Sequence, residues 1–195
     1  MNVIVSPIAL LGTSADPPTY GHQALLKGLS NLFPKVVTWA SDNPMKNHCA
    51  SLTQRHELLK TLVKDLAIPH LEIKQELSHS QTIKSIDIAI QCWPGSELVL
   101  IIGSDLTEQV PNWVQSKDLL SKARLGIAPR EGWPVTKRGL KVLKSIGAKV
   151  DVLPLTLPAT SSSRVRTKPE PSQIPKSILP LLKEANLYGL SINGQ

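Results

Sequence analysis

Ile8-Ala9-Leu10-Leu11-Gly12-Thr13-Ser14-Ala15-Asp16-Pro17-Pro18-Thr19-Tyr20-Gly21-His22 is the stretch on which the reading of this chain turns. Ile8 to Leu11 is a short apolar run closed by Gly12, the pattern of a buried strand. A polar loop with two prolines follows, from Thr13 to Tyr20. From Gly21 to Leu32, the residues Ala24, Leu25, Leu29 and Leu32 recur at helical spacing. The unit is therefore strand, tight loop, helix. In an open parallel sheet, ligands gather beyond the carboxyl ends of the strands. A glycine at position 12 lets a phosphate approach the backbone, and the helix that follows turns free N–H groups and its positive dipole end toward the same place. His22, in the first turn, is placed to donate to a phosphate oxygen. One histidine in a Gly/Pro-rich turn would be only a turn; the whole string carries the reading. It contains neither GxxxxGK[ST] nor GxGxxG.

Outward from this unit, strands and helices alternate. Val36 to Ala40 reads as a strand. Thr53 to Leu66 reads as a helix capped by Ser51 or Thr53, with Leu58, Leu59, Leu62 and Leu66 on one face. Leu71 to Ile73 is a weak strand. Thr82 to Cys92 is a helix with Ile83, Ile86 and Ile90 in register, stopped by Trp93-Pro94-Gly95. Leu98 to Ile102 is the clearest buried strand; Gly103 and Ser104 end it, and an amphipathic stretch follows. Leu125 to Ala128 and Lys149 to Leu153 read as later strands flanking a helix around Lys137 to Ile146. Lys168-Pro169-Glu170-Pro171 connects to a last helix, Ile174 to Asn186, with Ile178, Leu181 and Leu182 inward. The alternation predicts an α/β fold: a Rossmann-like open, mostly parallel sheet with helices on both faces. One domain over residues 1–195 is expected, with a C-terminal helical part from about residue 160.

Composition bounds the function. With 41% hydrophobic and 19% charged residues, the chain has the make-up of a protein with a core. No apolar run approaches a membrane span. Met1-Asn2-Val3-Ile4-Val5 lacks a basic leader and goes straight into a strand-like stretch, so no signal peptide is expected. Cys49 and Cys92 form no CxxC pair and read as reduced thiols of a cytoplasmic protein. The net charge of +7 suits an anionic partner, but no run of four Lys or Arg occurs and only 4% of residues are aromatic, which favours a small polyanion such as ATP over a nucleic acid. His22, His48, His56, His70 and His79 include no HExxH pair, and His48-Cys49 with His56 lacks the second cysteine of a usual zinc set; these histidines read as surface or loop residues rather than metal ligands. No GxSxG surrounds Ser161 to Ser163. Trp93 and Trp133 each precede a proline and read as packing residues.

Two further constellations carry chemistry. In Ser161-Ser162-Ser163-Arg164-Val165-Arg166, hydroxyls ahead of a helix can cap it and contact phosphate, and Arg166 can take a phosphate with a two-pronged contact. In Ile101-Ile102-Gly103-Ser104-Asp105, followed by Pro111-Asn112-Trp113, Gly103 permits close approach of an adenosine at a strand end. Asp105 can accept from a hydroxyl or pair with a basic residue, and Trp113 offers a flat face for a planar ring or is a core aromatic.

Thr19-Tyr20-Gly21-His22 resembles the (H/T)xGH signature of the nucleotidyltransferase superfamily, and Gly12 to Pro18 resembles the GGTFDP segment of its bacterial members. Thr13 stands for the second glycine, Ala15 for Phe, and Thr19 for the first His of the nicotinate branch; threonine there is familiar from the phosphopantetheine branch. Thr160 to Arg166 resembles ISSTxIR, with Thr160 for Ile. Ile101 to Asp105 and Pro111 to Trp113 resemble the IIGxD and PxW of the nicotinate/nicotinamide mononucleotide branch. Asn43-Pro44-Met45-Lys46 resembles NPPHK, Ser80-Gln81-Thr82-Ile83 resembles SYTxxTL, Arg130-Glu131-Gly132-Trp133 resembles RPGY, and Leu187-Tyr188 resembles a closing LY.

This resemblance implies a nicotinate- or nicotinamide-mononucleotide adenylyltransferase. It implies that His22, Thr19, Lys46 and Arg166 act on the reacting phosphates. ATP would meet Gly12, Thr13, Ser14, Gly21, Gly103, Asp105, Ser162 and Ser163. The mononucleotide would meet Asp16, Lys46, Arg55, Thr82, Trp113 and Arg130. Mg²⁺ would arrive with ATP, held by the nucleotide and water, with no dedicated cage of carboxylates. The alternatives are another small-molecule nucleotidyltransferase, such as one acting on phosphopantetheine, or a catalytically lapsed nucleotide- or nucleic-acid-binding protein. Acid versus amide acceptor stays open, and a homo-oligomer is compatible with the sequence.

Overall fold

The computed structural model describes residues 6–158, 160 and 162–190; the strand-like start at 3–5 and Ser161 of the serine run lie outside them. Six parallel strands form one sheet in the order β3-β2-β1-β4-β5-β6. They are β1 (Ile8–Thr13), β2 (Lys35–Ala40), β3 (Leu71–Ile73), β4 (Leu98–Gly103), β5 (Arg124–Ala128) and β6 (Val150–Val152). The helices are α1 (Tyr20–Leu32), α2 (Leu52–Leu66), α3 (Thr82–Cys92), α4 (Ser116–Lys122), α5 (Lys137–Ser145), α6 (Ser162–Thr167) and α7 (Leu179–Glu184).

Side chains alternate across each strand, and the two sets fill two cores. Ala9, Leu11, Val36, Val99 and Ile101 face α1, α2 and the C-terminal segment, where Val165, Ile174, Ile178 and Leu182 are fully buried. Ile8, Leu10, Val37, Trp39, Leu98, Leu100 and Ile102 face the layer built from α3, α4 and α5. Because both faces are covered, β1 and β4 read as continuous apolar runs rather than alternating ones.

The strand order reverses between β1 and β4, and there the ladder is short. β1 pairs with β4 only from Ile8↔Leu98 to Leu10↔Leu100. Beyond that, Leu11 to Thr13 follow β2 while Ile101 to Gly103 follow β5. The two strand ends splay and open a crevice at the switch point.

Several boundaries differ from the sequence reading. α2 starts at Leu52, and Ser51 rather than Thr53 is its cap: the Ser51 hydroxyl accepts from Gln54 N–H at 3.2 Å, and the Gln54 side chain accepts from Ser51 N–H at 2.9 Å. The amphipathic stretch after β4 is two 3-10 turns, Ser104–Leu106 and Val110–Asn112, before α4. The expected helix from Ile174 to Asn186 is helical only over Leu179–Glu184. Pro175 holds Ile174 extended, at φ −111° and ψ 131°, and Asn186 turns left-handed at φ 49°. Leu181 is half-buried while Ile178 and Leu182 are buried.

Candidate active site

The crevice between the splayed ends of β1 and β4 widens into a cleft of about 1080 Å³. That is in the upper range of small-molecule sites. Gly12 and Thr13 form one lip and Gly103 the other. Gly12 is fixed by its neighbour: a Cβ there would lie 2.8 Å from the indole carbons of buried Trp39. A Cβ on Gly103 would collide with the Asp105 carboxylate, and one on Gly21 would lie 2.7 Å from Thr160 Oγ1. Thr160 Oγ1 is buried without a hydrogen-bond partner.

His22 is held at both ring nitrogens. Nδ1 accepts the Thr19 N–H at 3.1 Å and lies 3.0 Å from Thr19 Oγ1; Nε2 lies 3.1 Å from Thr13 Oγ1. A backbone N–H can only donate, so Nδ1 carries no proton and neutral His22 bears its hydrogen on Nε2. Burial first, then Arg130 and Lys46, lower its pKa to about 4. His22 is therefore a neutral N–H donor near pH 7, beside the end of β1.

The cleft is cationic. Lys46, Arg130 and Arg166 line it, and among the described residues Asp105 is the sole carboxylate in its walls. Arg130 Nη1 lies 3.5 Å from Asp105 Oδ2, so that carboxylate already has a partner. Lys46 Nζ lies 3.5 Å from Ser14 Oγ. Its pKa is lowered, chiefly by loss of water around the ammonium; Asp105 opposes the shift, and Arg166 and Arg130 add to it. Such an excess of positive charge in a concave site attracts phosphates. Among the described residues no group of three or more His, Cys, Asp or Glu is placed to hold a metal.

The remaining walls are mixed. Trp113 lines the cleft and packs against the core on the α3–α4 side; Thr82 and Ser85 of α3 line it as well. Ser162 and Ser163 lie at the start of α6. The Ser162 hydroxyl donates to the Pro17 carbonyl at 2.8 Å, and Ser163 Oγ accepts from Arg166 Nη2 at 3.2 Å. The structure thus brings Gly12, Thr13, Ser14, Gly21, His22, Lys46, Thr82, Gly103, Asp105, Trp113, Arg130, Ser162, Ser163 and Arg166 around one cleft.

Three expected contacts are not in its walls. Thr19 is fully buried and braces His22 rather than facing a ligand. Asp16 is fully buried, and its carboxylate accepts from Cys49 N–H, Ala50 N–H and the Tyr188 hydroxyl. Arg55, only 2% exposed, donates to the carbonyls of Ser14, Ser41 and Ala50 at 2.9, 2.8 and 3.3 Å. Burial lowers its pKa, with Asp16, Asp42 and Tyr188 opposing. A charged side chain deep in a fold must be satisfied by partners of this kind, so Asp16 and Arg55, expected to meet the mononucleotide, here bind the surrounding loops together.

Other residues also depart from the sequence reading. Trp133, expected to pack, is 56% exposed at the Arg130–Trp133 turn. His22 lines the cleft as expected, and the loop residue His48 lines it too, while His70, in a turn, is anchored through Nε2 to the Ser30 carbonyl at 2.9 Å. Two contributors were missed. Buried Ser104 accepts Arg130 N–H at 3.0 Å and donates to the Trp133 carbonyl at 2.6 Å, which sets the Arg130 turn against the end of β4. Tyr188 reaches Asp16 from the far end of the chain. Ser104 had a signal in its place at a strand end; Tyr188, 172 residues from Asp16, had none that gave it a role.

A cation-lined crevice at a strand-order reversal, with a helix N-terminus and a neutral imidazole at its lip, is suited to phosphate groups. The cytidylyltransferase-like family matches residues 10–168, and the chain belongs to that family; its class of activity is nucleotidyl transfer. The chain is 34% identical to a probable nicotinate-nucleotide adenylyltransferase of Synechocystis, over 93% of this chain and 98% of that one. It is 41% identical to a phosphopantetheine adenylyltransferase of Caldanaerobacter subterraneus, but over only 34% of this chain and 40% of the other. In fold it is similar to the Plasmodium falciparum nicotinic acid mononucleotide adenylyltransferase complexed with NaAD, at a TM-score of 0.80 and 18% identity, covering 96% of this chain and all of that one.

Proposed function

We propose that the protein transfers the AMP part of ATP to the 5′-phosphate of nicotinate mononucleotide or nicotinamide mononucleotide, releasing pyrophosphate. The observation that carries this reading is the make-up of one cleft: three cations and a neutral His donor beside a wall bearing Trp113, Thr82 and Ser85. A phosphate-bearing acceptor with a flat aromatic base fits both parts; the thiol-ended chain of phosphopantetheine has no ring for Trp113. The near full-length likeness to the Synechocystis relative supports the same acceptor class.

The acceptor phosphate is already an anion, so attack on the α-phosphorus needs no strong base. An acceptor oxygen bonds to that phosphorus as its bond to the β-phosphate bridging oxygen breaks, and pyrophosphate leaves with the electron pair. Positioning and charge neutralisation then carry catalysis. His22 Nε2–H donates to a phosphate oxygen in exchange for Thr13. Lys46 neutralises charge on the reacting groups, and Arg166 with Ser162 and Ser163 holds the triphosphate tail. Gly103 gives the adenosine room, and Arg130 and Trp113 meet the mononucleotide. Mg²⁺ would come with ATP, held chiefly by the nucleotide and water.

Steady-state pyrophosphate release with ATP and, side by side, nicotinate mononucleotide, nicotinamide mononucleotide and 4′-phosphopantetheine tests the reading. A pyridine mononucleotide should give the highest kcat/KM. Preference for phosphopantetheine would overturn it.

A further inference from the structure

Asp16 has no accessible surface. Its partners come from far apart in the chain. Oδ2 accepts Cys49 N–H at 2.9 Å, and Oδ1 accepts Ala50 N–H at 3.1 Å and the Tyr188 hydroxyl at 2.5 Å. Arg166 Nη1 lies 3.7 Å from Oδ2 and donates to the Asp16 carbonyl at 2.7 Å. Burial and the contact with Asp16 raise the Tyr188 pKa, which keeps the hydroxyl a donor.

All but Tyr188 of these partners belong to elements that present a group to the cleft. Cys49 and Ala50 close the loop that carries Lys46. Asp16 itself lies in the loop between Thr13 and His22. Arg166 is on α6 with Ser162 and Ser163. Arg55 works from the opposite polarity, taking the carbonyls of Ser14, Ser41 and Ala50. The loops are thus clamped through their N–H groups by Asp16 and through their carbonyls by Arg55, below the floor of the cleft.

We propose that Asp16 is the positioning residue of the phosphate site: its buried carboxylate, closed by the Tyr188 hydroxyl, sets the Lys46 loop, the Thr13–His22 loop and the Arg166 helix at the spacing that the transferred phosphate requires. The proposal rests on nucleotidyl transfer at this cleft and is indifferent to which acceptor is used. Asp16 is not in the cleft wall, so its effect on turnover must pass through residues that are. A carboxylate that only held the fold together would affect stability and leave the kinetics of the folded enzyme alone.

The test is a double-mutant cycle of Asp16→Asn with Arg166→Ala. It is read as kcat/KM at a temperature where circular dichroism shows every variant folded, and as ATP affinity by calorimetry without acceptor. A misplacement of about 1 Å can cost roughly a hundredfold in rate, so Asp16→Asn should lower kcat/KM by about 10- to 100-fold and weaken ATP binding. Because both residues act on one element, the double variant should fall within about threefold of the worse single variant. Losses that multiply, or a folded Asp16→Asn enzyme within about twofold of wild type, would overturn the proposal. Should Asp16→Asn fail to fold, Tyr188→Phe in the same cycle replaces it, with an expected loss of about 3- to 10-fold; independence from Arg166→Ala would again overturn it. An inactive wild type that still binds ATP, more weakly as Asp16→Asn, would count against the acceptor reading alone.

Discussion

His22→Ala separates the chemistry of the site from its scaffolding. The imidazole makes a contact of each kind. Nε2–H, 3.1 Å from Thr13 Oγ1 at the lip of the cleft, is the donor that the proposed mechanism offers to a phosphate oxygen. Nδ1, accepting the Thr19 N–H at 3.1 Å, belongs to the fold. Removing one preorganised donor from a charge-developing transition state costs about 2.7–4 kcal/mol, or roughly 10²–10³ in kcat. Leaving the N–H of fully buried Thr19 unpaired costs about 1–3 kcal/mol of stability. At about 2–4 °C per kcal/mol for a chain of this size, that lowers Tm by roughly 2–12 °C. His22→Asn divides the two losses, since its side-chain oxygen can still accept from Thr19 while nothing reaches the Nε2 position. The assay is pyrophosphate release at saturating ATP and acceptor, paired with thermal unfolding. His22→Ala should lose both turnover and Tm, and His22→Asn should recover Tm without recovering turnover. A His22→Ala enzyme within about threefold of wild-type kcat would refute the role given to Nε2–H.

Arg166→Ala should chiefly raise the apparent KM for ATP; an effect confined to the mononucleotide KM would misplace the tail site. Gly12→Ala puts a methyl 2.8 Å from the Trp39 ring, an overpacking that should cost about 1–3 kcal/mol in urea unfolding, and an unchanged midpoint would show that the strand end yields. The pKa of His22, lowered to about 4, makes the folded state bind fewer protons than the unfolded one between that value and 6.5. Its contribution to stability is therefore complete above pH 6.5 and lost as pH falls through about 4, so His22→Gln should flatten the fall in unfolding free energy across that window. A pH dependence unchanged by the substitution would contradict the low pKa.

Local periodicity made the sheet readable. β1 and β4 are buried on both faces, so their apolar runs stand out, and their carboxyl ends carry glycines that the close contacts at Gly12 and Gly103 require. The last helix was overread because the apolar spacing of Ile174, Ile178 and Leu182 runs across Pro175, while the backbone becomes helical only from Leu179. The residues facing the cleft were found where a motif sits at a strand end or helix start, as for His22, Gly103 and Ser162. Asp16, Arg55 and Thr19 lie outside the cleft walls for a reason that the sequence does not carry: a motif marks a position as important without saying whether the side chain points up into the cleft or down into the fold. Burial decides that, through contacts such as Tyr188 to Asp16 that join the two ends of the chain and leave no trace in local sequence.

Adenylyl transfer itself is tested most directly by following the label from ATP marked at the α-phosphorus, with a pyridine mononucleotide as acceptor. The account predicts that the label appears in a dinucleotide, that unlabelled pyrophosphate is released in equal amount, and that both are lost in His22→Ala. Label that stays in ATP with either pyridine mononucleotide, while the folded protein still binds ATP, would contradict it.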